Sequence, residues 1–426
     1  MFKHRSLIIL LFLGLVLRLS LVFIGYHGDL NNNISWGTLA YSRGLNGFYG
    51  SSDASEWPYS APNQPPLTLL LFAGLRLVWE VTEKIILFLN ANIPIFPSKL
   101  VWFWGDKGMI LLVKLPSIIA DLLIGLLIYK FIKRSVKYGK KAIVPFCFWL
   151  FNPLVWYNSS VWGQTDAVVN LLGLVAVFAL LDKKLERFAL FFALSLLFKG
   201  SLAVFIPLLL IVALKQGHSV KKWILSAIYV LGAVFLTSVW FHPYLDLPIW
   251  LFNLYKERIM PGEIGYLTAN AFNLWYLVSS GKTPDSIQSV IFSARTVGFI
   301  IFGGFYLLIL QKLRKTFDNH TVFFSLLLVA LISFLFLTRI HERYLYPLFP
   351  YATLLLLPIP EMAFPLVILS IIHLFNLYNL FWVPSIPILE VIMRNSVLPS
   401  VFSIITITVF IYLLYLFLRQ TSLLKK

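Results

Sequence analysis

Charge is scarce in this chain. Of its 426 residues, 12% are Asp, Glu, Lys or Arg and 59% are hydrophobic. A soluble domain carries roughly 25% charged residues, so a water-soluble globule is excluded. Acids are the scarcer sign, 18 against 35 Lys and Arg, for a formal charge of +17. Cysteine is all but missing: Cys147 stands alone in an apolar run. That excludes an intrachain disulfide and a cysteine metal cluster. There is no Gly-rich nucleotide loop, no HExxH and no paired-cysteine motif, so a nucleotide-sugar site has no support. A clear internal repeat, expected of a transporter built from matched halves, is also missing.

What the chain has is oil. Apolar runs of about 20 residues, the length that spans a bilayer core, recur from end to end. A β-barrel would instead alternate apolar and polar residues over strands of about 10. The expected class is an all-α polytopic membrane protein forming one domain over 1–426. Candidate spans are 6–26, 67–80, 109–131, 142–158, 166–181, 187–200, 201–214, 223–241, 287–311, 321–338, 344–358, 363–382 and 398–418. With 84–106 as a possible return pass, the count is about 11–14. The first run lacks a small-residue cleavage site, so no cleavable signal is expected.

The basic residues orient these runs rather than marking a nucleic-acid surface. They cluster at Lys3 to Arg5, Lys130 to Lys141, Lys183 to Arg187, Lys215 to Lys222, Lys312 to Lys315 and Lys425-Lys426. Positive clusters stay cytoplasmic, which places both termini inside. Polar segments 27–66, 159–165, 242–286, 339–343 and 383–397 then converge outside. Loop 27–66 opens with helical spacing over Ile34 to Tyr41, as for a helix lying in the interface, and closes on the rigid run Pro62 to Pro66.

Several residues in these segments bear chemistry. Asp29, just past the first run, is either an idle helix-end carboxylate or a general base for an acceptor hydroxyl. Apolar neighbours would raise its pKa toward a useful value. In the turn from Val161 to Asp166, Thr165 or Asp166 can simply cap the next helix. Alternatively Gln164 and Asp166 hold sugar hydroxyls while Trp162 offers an aromatic face. Lys199 either snorkels at a helix end or pairs with a lipid phosphate. Arg339, His341, Glu342 and Arg343 form the densest charged cluster. Arginine forks bind phosphate oxygens bidentately, Glu342 can orient one fork, and His341 can reach a leaving phosphate. Lys114, Asp121, Asn158 and Asn170 lie inside apolar runs and read equally as interhelical hydrogen-bond partners. His242, Asp246, Glu257 and Glu263 in the second large loop cannot be ranked.

The order of five short stretches carries a resemblance. They are Gly28-Asp29; Asn63-Gln64-Pro65-Pro66-Leu67; Lys114-Leu115-Pro116-Ser117 running to Asp121; Phe151-Asn152-Pro153 through Asp166; and Arg339 through Tyr344 with Pro347. Together with Lys199 they resemble the membrane-embedded glycosyltransferases of the GT-C type. Within that group they are most similar to the bacterial and archaeal mannosyltransferases related to the enzymes adding the first two mannoses in GPI-anchor assembly. The resemblance implies a polyprenyl-phosphate hexose donor, mannose first among the hexoses, and a glycan or lipid-linked acceptor. It implies inversion outside the plasma membrane with Asp29 as base, and puts Asn63 and Gln64 beside sugar or acceptor. Many such relatives carry Asp-x-Asp in the first loop. Here position 31 is Asn31, so a divalent Mg or Mn ion lacks its paired-acid clamp, and no cofactor is expected with certainty. Asp53 and Glu56 are the nearest other acids. The rival reading is a multi-span transporter or lipid-linked-sugar flippase; a non-catalytic envelope subunit is a third.

Overall fold

The structure is a computed structural model that describes residues 2–50, 54–259, 265–288 and 291–419. Asp53, Glu263, Lys425 and Lys426 lie outside the described residues. The chain is 76% helical with almost no strand, an all-α fold. Among the described residues six helices are long and apolar enough to cross a membrane.

The helices, in order, are α1 Phe2–Leu21, α2 Gly28–Arg43, α3 Pro66–Asn92, α4 Lys99–Lys133, α5 Ile143–Phe151, α6 Pro153–Trp156, α7 Asp166–Leu181, α8 Leu185–Phe198, α9 Ile206–Lys215, α10 Val220–Ser238, α11 Leu247–Leu254 and α12 Leu274–Val278. They continue with α13 Ala294–Lys315, α14 Asn319–Phe336, α15 Leu348–Leu355, α16 Ala363–Phe381, α17 Pro387–Arg394 and α18 Val397–Arg419. Two residues each form β1 Thr268–Ala269 and β2 Ile340–His341, paired in parallel. Helix α14 is buried along nearly its whole length and forms the axis of the core.

Most expected spans coincide with helices to within a few residues. Three differ for local reasons. The run 142–158 breaks into α5 and α6 because Pro153 cannot continue a helix and Asn152 caps the next one, its Oδ1 accepting from Leu154 N at 3.1 Å. The segment 287–311 starts its helix only at Ala294, where Ser293 caps it. Residues 84–106 do not form a helix of their own, and the helices over 67–80 and 109–131 run longer than expected. Helix α3 runs on to Asn92, turns over 93–98, and α4 leads back as one leg of a hairpin. Trp79 and Trp104 staple the legs, each indole donating to the other's backbone carbonyl at 3.2 Å.

Buried polar groups tie the bundle together. Asp121 is fully buried in α4. Its Oδ2 accepts from Arg18 Nε at 3.1 Å and Ser159 Oγ at 2.6 Å, and its Oδ1 from Tyr346 Oη at 2.9 Å. One carboxylate therefore joins α1, α4, the turn after α6, and the segment leading into α15. About two turns outward, Lys114 places its ammonium against the carbonyls of Val22, Gly25, Ser160 and Val161 at 2.7–3.0 Å. Both residues satisfy the interhelical reading of their sequence positions. A buried charge left without its partner costs several kcal/mol. Arg18→Met should therefore lower the thermal midpoint in detergent, by an amount equivalent to about 3–5 kcal/mol. Adding Asp121→Leu should recover part of that loss. A single variant as stable as the parent would contradict the account.

Candidate functional site

The polar turns meet at one end of the bundle around a cavity of about 240 Å³. Asp29 sits in the first turn of α2, where the helix dipole favours an anion. His27 caps that helix, its Nδ1 accepting from Asp29 N at 3.1 Å. The helix thus starts at Gly28, earlier than the spacing over 34–41 indicates. This puts Asp29, Asn32, Asn33 and Trp36 on one face, all lining the cavity.

Opposite Asp29 stands a cationic wall. Arg343 Nη2 lies 3.7 Å from Asp29 Oδ2, and its Nη1 donates to Glu342 Oε1 at 2.8 Å. Lys199 Nζ donates to Asp166 Oδ1 at 2.6 Å. The Lys199 ammonium and the Arg343 guanidinium both lie near the ring of Tyr344, at 5.7 and 5.9 Å from its centre. Gln164 Nε2 donates to Asp29 Oδ2 at 2.5 Å. Gly163 makes that reach possible. It ends the preceding turn at φ +86°, and a Cβ there would lie 3.0 Å from Lys114 Cε.

Of the residues singled out from sequence, Asp29, Lys199, His341, Arg343, Gln164, Asn63 and Gln64 line the cavity together. Four do not. Arg339, Trp162 and Asp166 are corrections; Glu342 does not reach a sugar or acceptor but orients an arginine fork, as one reading of its position had it. Arg339 turns away: at φ +62° it directs its guanidinium onto Asp285, with Nε–Oδ2 at 2.7 Å and Nη2–Oδ1 at 3.0 Å. It fastens loop 265–288 instead of facing the cavity. Trp162 is fully buried and packed against both His27 and Phe381, so it offers no open face. Asp166 and Glu342 are buried behind the wall as the counter-ions of Lys199 and Arg343. His242 and Asp246 pair with each other at 2.7 Å, apart from the cavity lining.

Sequence reading missed His27, Asn32, Asn33, Arg258 and Tyr344, which also line the cavity. The i, i+3, i+4 spacing of Asp29, Asn32 and Asn33 was a usable signal. Arg258 had none: it is one cation in a loop whose path only the tertiary fold sets.

The charges reset the expected acidity. Burial pushes the Asp29 carboxyl up, but Arg343, His27, Gln164 and Lys199 outweigh it and leave the pKa below the ordinary value. This reverses the upward shift expected from apolar neighbours. Burial likewise pushes Glu342 up, yet Arg343 and His341 bring it down to about 2. Burial lowers the His27 imidazole. Among the described residues Asp29 is the one carboxylate on the cavity wall. Its Oδ2 is taken by an amide donor and faced by a guanidinium, a donor set that does not fit a divalent cation.

The depressed Glu342 value makes a stability prediction. Stabilisation by its ionised form is fully present above its ordinary value of 4.5 and is lost as pH falls through about 2. Glu342→Gln should flatten the pH dependence of the thermal midpoint across that window; an unchanged profile would remove Glu342 as the buried partner of Arg343. No family model matches this chain, and no curated protein matches it.

Proposed function

We propose that this protein is an integral membrane glycosyltransferase that moves a hexose, mannose first among the candidates, from a polyprenyl-phosphate carrier to a glycan or lipid-linked acceptor. The observation that carries the reading is the pairing in one cavity of an ionised carboxylate, Asp29, with a cationic wall of Arg343 and Lys199. A hydroxyl nucleophile needs a proton acceptor, and a departing phosphate needs positive charge. Amides of Asn32, Asn33, Asn63 and Gln64 on the same wall supply donors and acceptors suited to sugar hydroxyls.

In this reading the chain crosses the membrane about 11–14 times in the GT-C manner. Both termini are cytoplasmic, the cavity opens outside, and the first outer loop extends from α1 to the middle of α4. The donor phosphate lies against Arg343, with Lys199 and His341 beside it. Asp29 accepts the proton of the acceptor hydroxyl as its oxygen bonds to the anomeric carbon. The bond from that carbon to the phosphate oxygen breaks, the electron pair leaves with the phosphate, and the configuration inverts. Arg343 couples the two halves. A phosphate that engages its guanidinium weakens the hold on Asp29 and raises the basicity of the carboxylate when the donor is in place. No step needs a metal ion.

The test is transfer of labelled hexose from polyprenyl-phosphate mannose to a membrane lipid extract by protein in liposomes. Asp29→Asn should lower kcat about 10²–10⁴-fold, the range for a positioned general base. Full activity in that variant would end the assignment. Arg343→Lys keeps the charge and loses the fork; it should lower kcat/KM by roughly 10²-fold, at the lower edge of losses for a missing transition-state donor.

The pH profile separates base from scaffold. The basic form of Asp29 persists at all pH above its lowered pKa, so kcat/KM should stay flat through neutrality and fall only on strong acidification. Arg343→Gln removes the main depressing charge and should move that fall to higher pH. An acid limb that does not move would show that Asp29 is not the titrating base.

A further inference from the structure

A second cavity, of about 330 Å³, lies at the other end of the bundle. Helix α4 connects the two ends. Lys114 holds the turns of the candidate site, and Arg134 follows the last turn of the helix, about 20 residues on. At about 1.5 Å per residue the two stand roughly 30 Å apart, the thickness of a bilayer core. The floor of the second cavity is apolar: Phe131, Ile132, Leu354 and Pro358. Its rim is polar: Arg134, Ser135, Tyr138, Asp182, Asn319 and His320. These come from the ends of α4 and α7 and from the start of α14.

This rim has hydrogen-bond donors to spare. Neither ring nitrogen of His320 bonds to another described residue, and its Nδ1 is buried. Ser135 Oγ accepts from Tyr138 N at 3.2 Å, which leaves its hydroxyl proton to donate. The nearest acid to the Arg134 guanidinium is Asp182, with Nη1–Oδ2 at 3.9 Å and side chains 70% and 46% exposed. A pair so long and so open is worth little, so the guanidinium fork is available to another anion. The start of α14 adds the positive end of a helix dipole, although its His320 and Thr321 amides are already held by Asp318 Oδ1 at 2.8 and 3.0 Å. The surrounding field is positive as well: residues 130–141 carry six Lys or Arg and no acid, which outweighs the single carboxylate of Asp182.

We propose that this cavity binds the phosphate of an anionic phospholipid. The phosphate takes the Arg134 fork in place of Asp182, with the Ser135 hydroxyl and the His320 imidazole donating beside it. The glycerol and the first acyl carbons lie on the apolar floor. Two features select a lipid over a free phosphate. A soluble anion leaves the apolar floor unused. Val136, next to the rim, is a fully exposed apolar side chain flanked by Arg134 and Lys137, a combination suited to the boundary between headgroups and acyl chains. Basic pockets between membrane helices on the cytoplasmic side take such headgroups, and in the topology proposed above the lipid belongs to the inner leaflet. The site stands whether or not the glycosyl-transfer reading does.

The test is native mass spectrometry of the full chain in detergent, which counts lipids bound to the intact protein, with phosphatidylglycerol and phosphatidylcholine as probes. Phosphatidylglycerol should bind roughly tenfold tighter or more, and Arg134→Gln should remove most of that preference, as for the loss of a charged hydrogen-bond donor. Asp182→Asn removes the competing acid and should strengthen phosphatidylglycerol binding, a gain that a misfolded chain cannot produce. Lys221→Gln takes one charge from another basic cluster and should change nothing. Equal affinity for the two lipids would overturn the proposal. So would equal losses in Arg134→Gln and Lys221→Gln, which would show a diffuse field instead of a site. Weaker binding in Asp182→Asn would overturn it too, because the acid would then be a partner of the lipid and not its competitor. Inorganic phosphate tests the other source. If it alone raises the thermal midpoint as far as phosphatidylglycerol does, the cavity takes a soluble anion and the lipid assignment falls.

Discussion

A single buried carboxylate sets the geometry on which the cavity depends. Asp121 is bonded by Arg18, Ser159 and Tyr346, groups from three other parts of the chain. In an apolar interior that charge is tolerable only with all its partners in place. The requirement fixes the turn carrying Gln164 against the segment carrying Arg343, and both against the end of α1 that leads to Asp29. Lys114 repeats the device nearer the cavity with four carbonyls. Irregular backbone is affordable at these turns because an ammonium satisfies it.

The cavity itself is a balance of close opposite charges. Arg343 stands between Asp29 and Glu342, and Lys199 leans on Asp166. The two buried acids hold the cations in position, leaving Asp29 as the carboxylate that faces open space. Holding a base beside a guanidinium weakens it at rest. In the glycosyl-transfer reading the same guanidinium is what an incoming phosphate claims, so donor binding and base activation become one event.

Much of this was legible along the chain. Long uncharged runs marked the helices, because backbone groups in an apolar medium must bond within their own segment. Asp29, Gln164, Lys199, His341 and Arg343 stood out because polar side chains at the ends of such runs are few. The misreadings share a cause. Arg339 and Arg343 are equivalent in sequence, four residues apart in one turn; a left-handed backbone at Arg339 and the distant Asp285 send them different ways. Trp162 reads as a platform in sequence, but in the fold it is buried against His27 and Phe381.

Composition and periodicity alone determined that this chain is helical, that it has helices apolar enough to cross a membrane, and where its polar turns fall. Those properties are local: each follows from the hydration cost of a short stretch. The tertiary structure decided which polar groups meet, the depressed acidity of Asp29, the capture of Arg339, and the hairpin formed by α3 and α4. These depend on pairs far apart in sequence, such as Asp29 with Gln164 and Asp121 with Tyr346. The electrostatic energy of such a pair depends on its separation and burial, which no local pattern encodes.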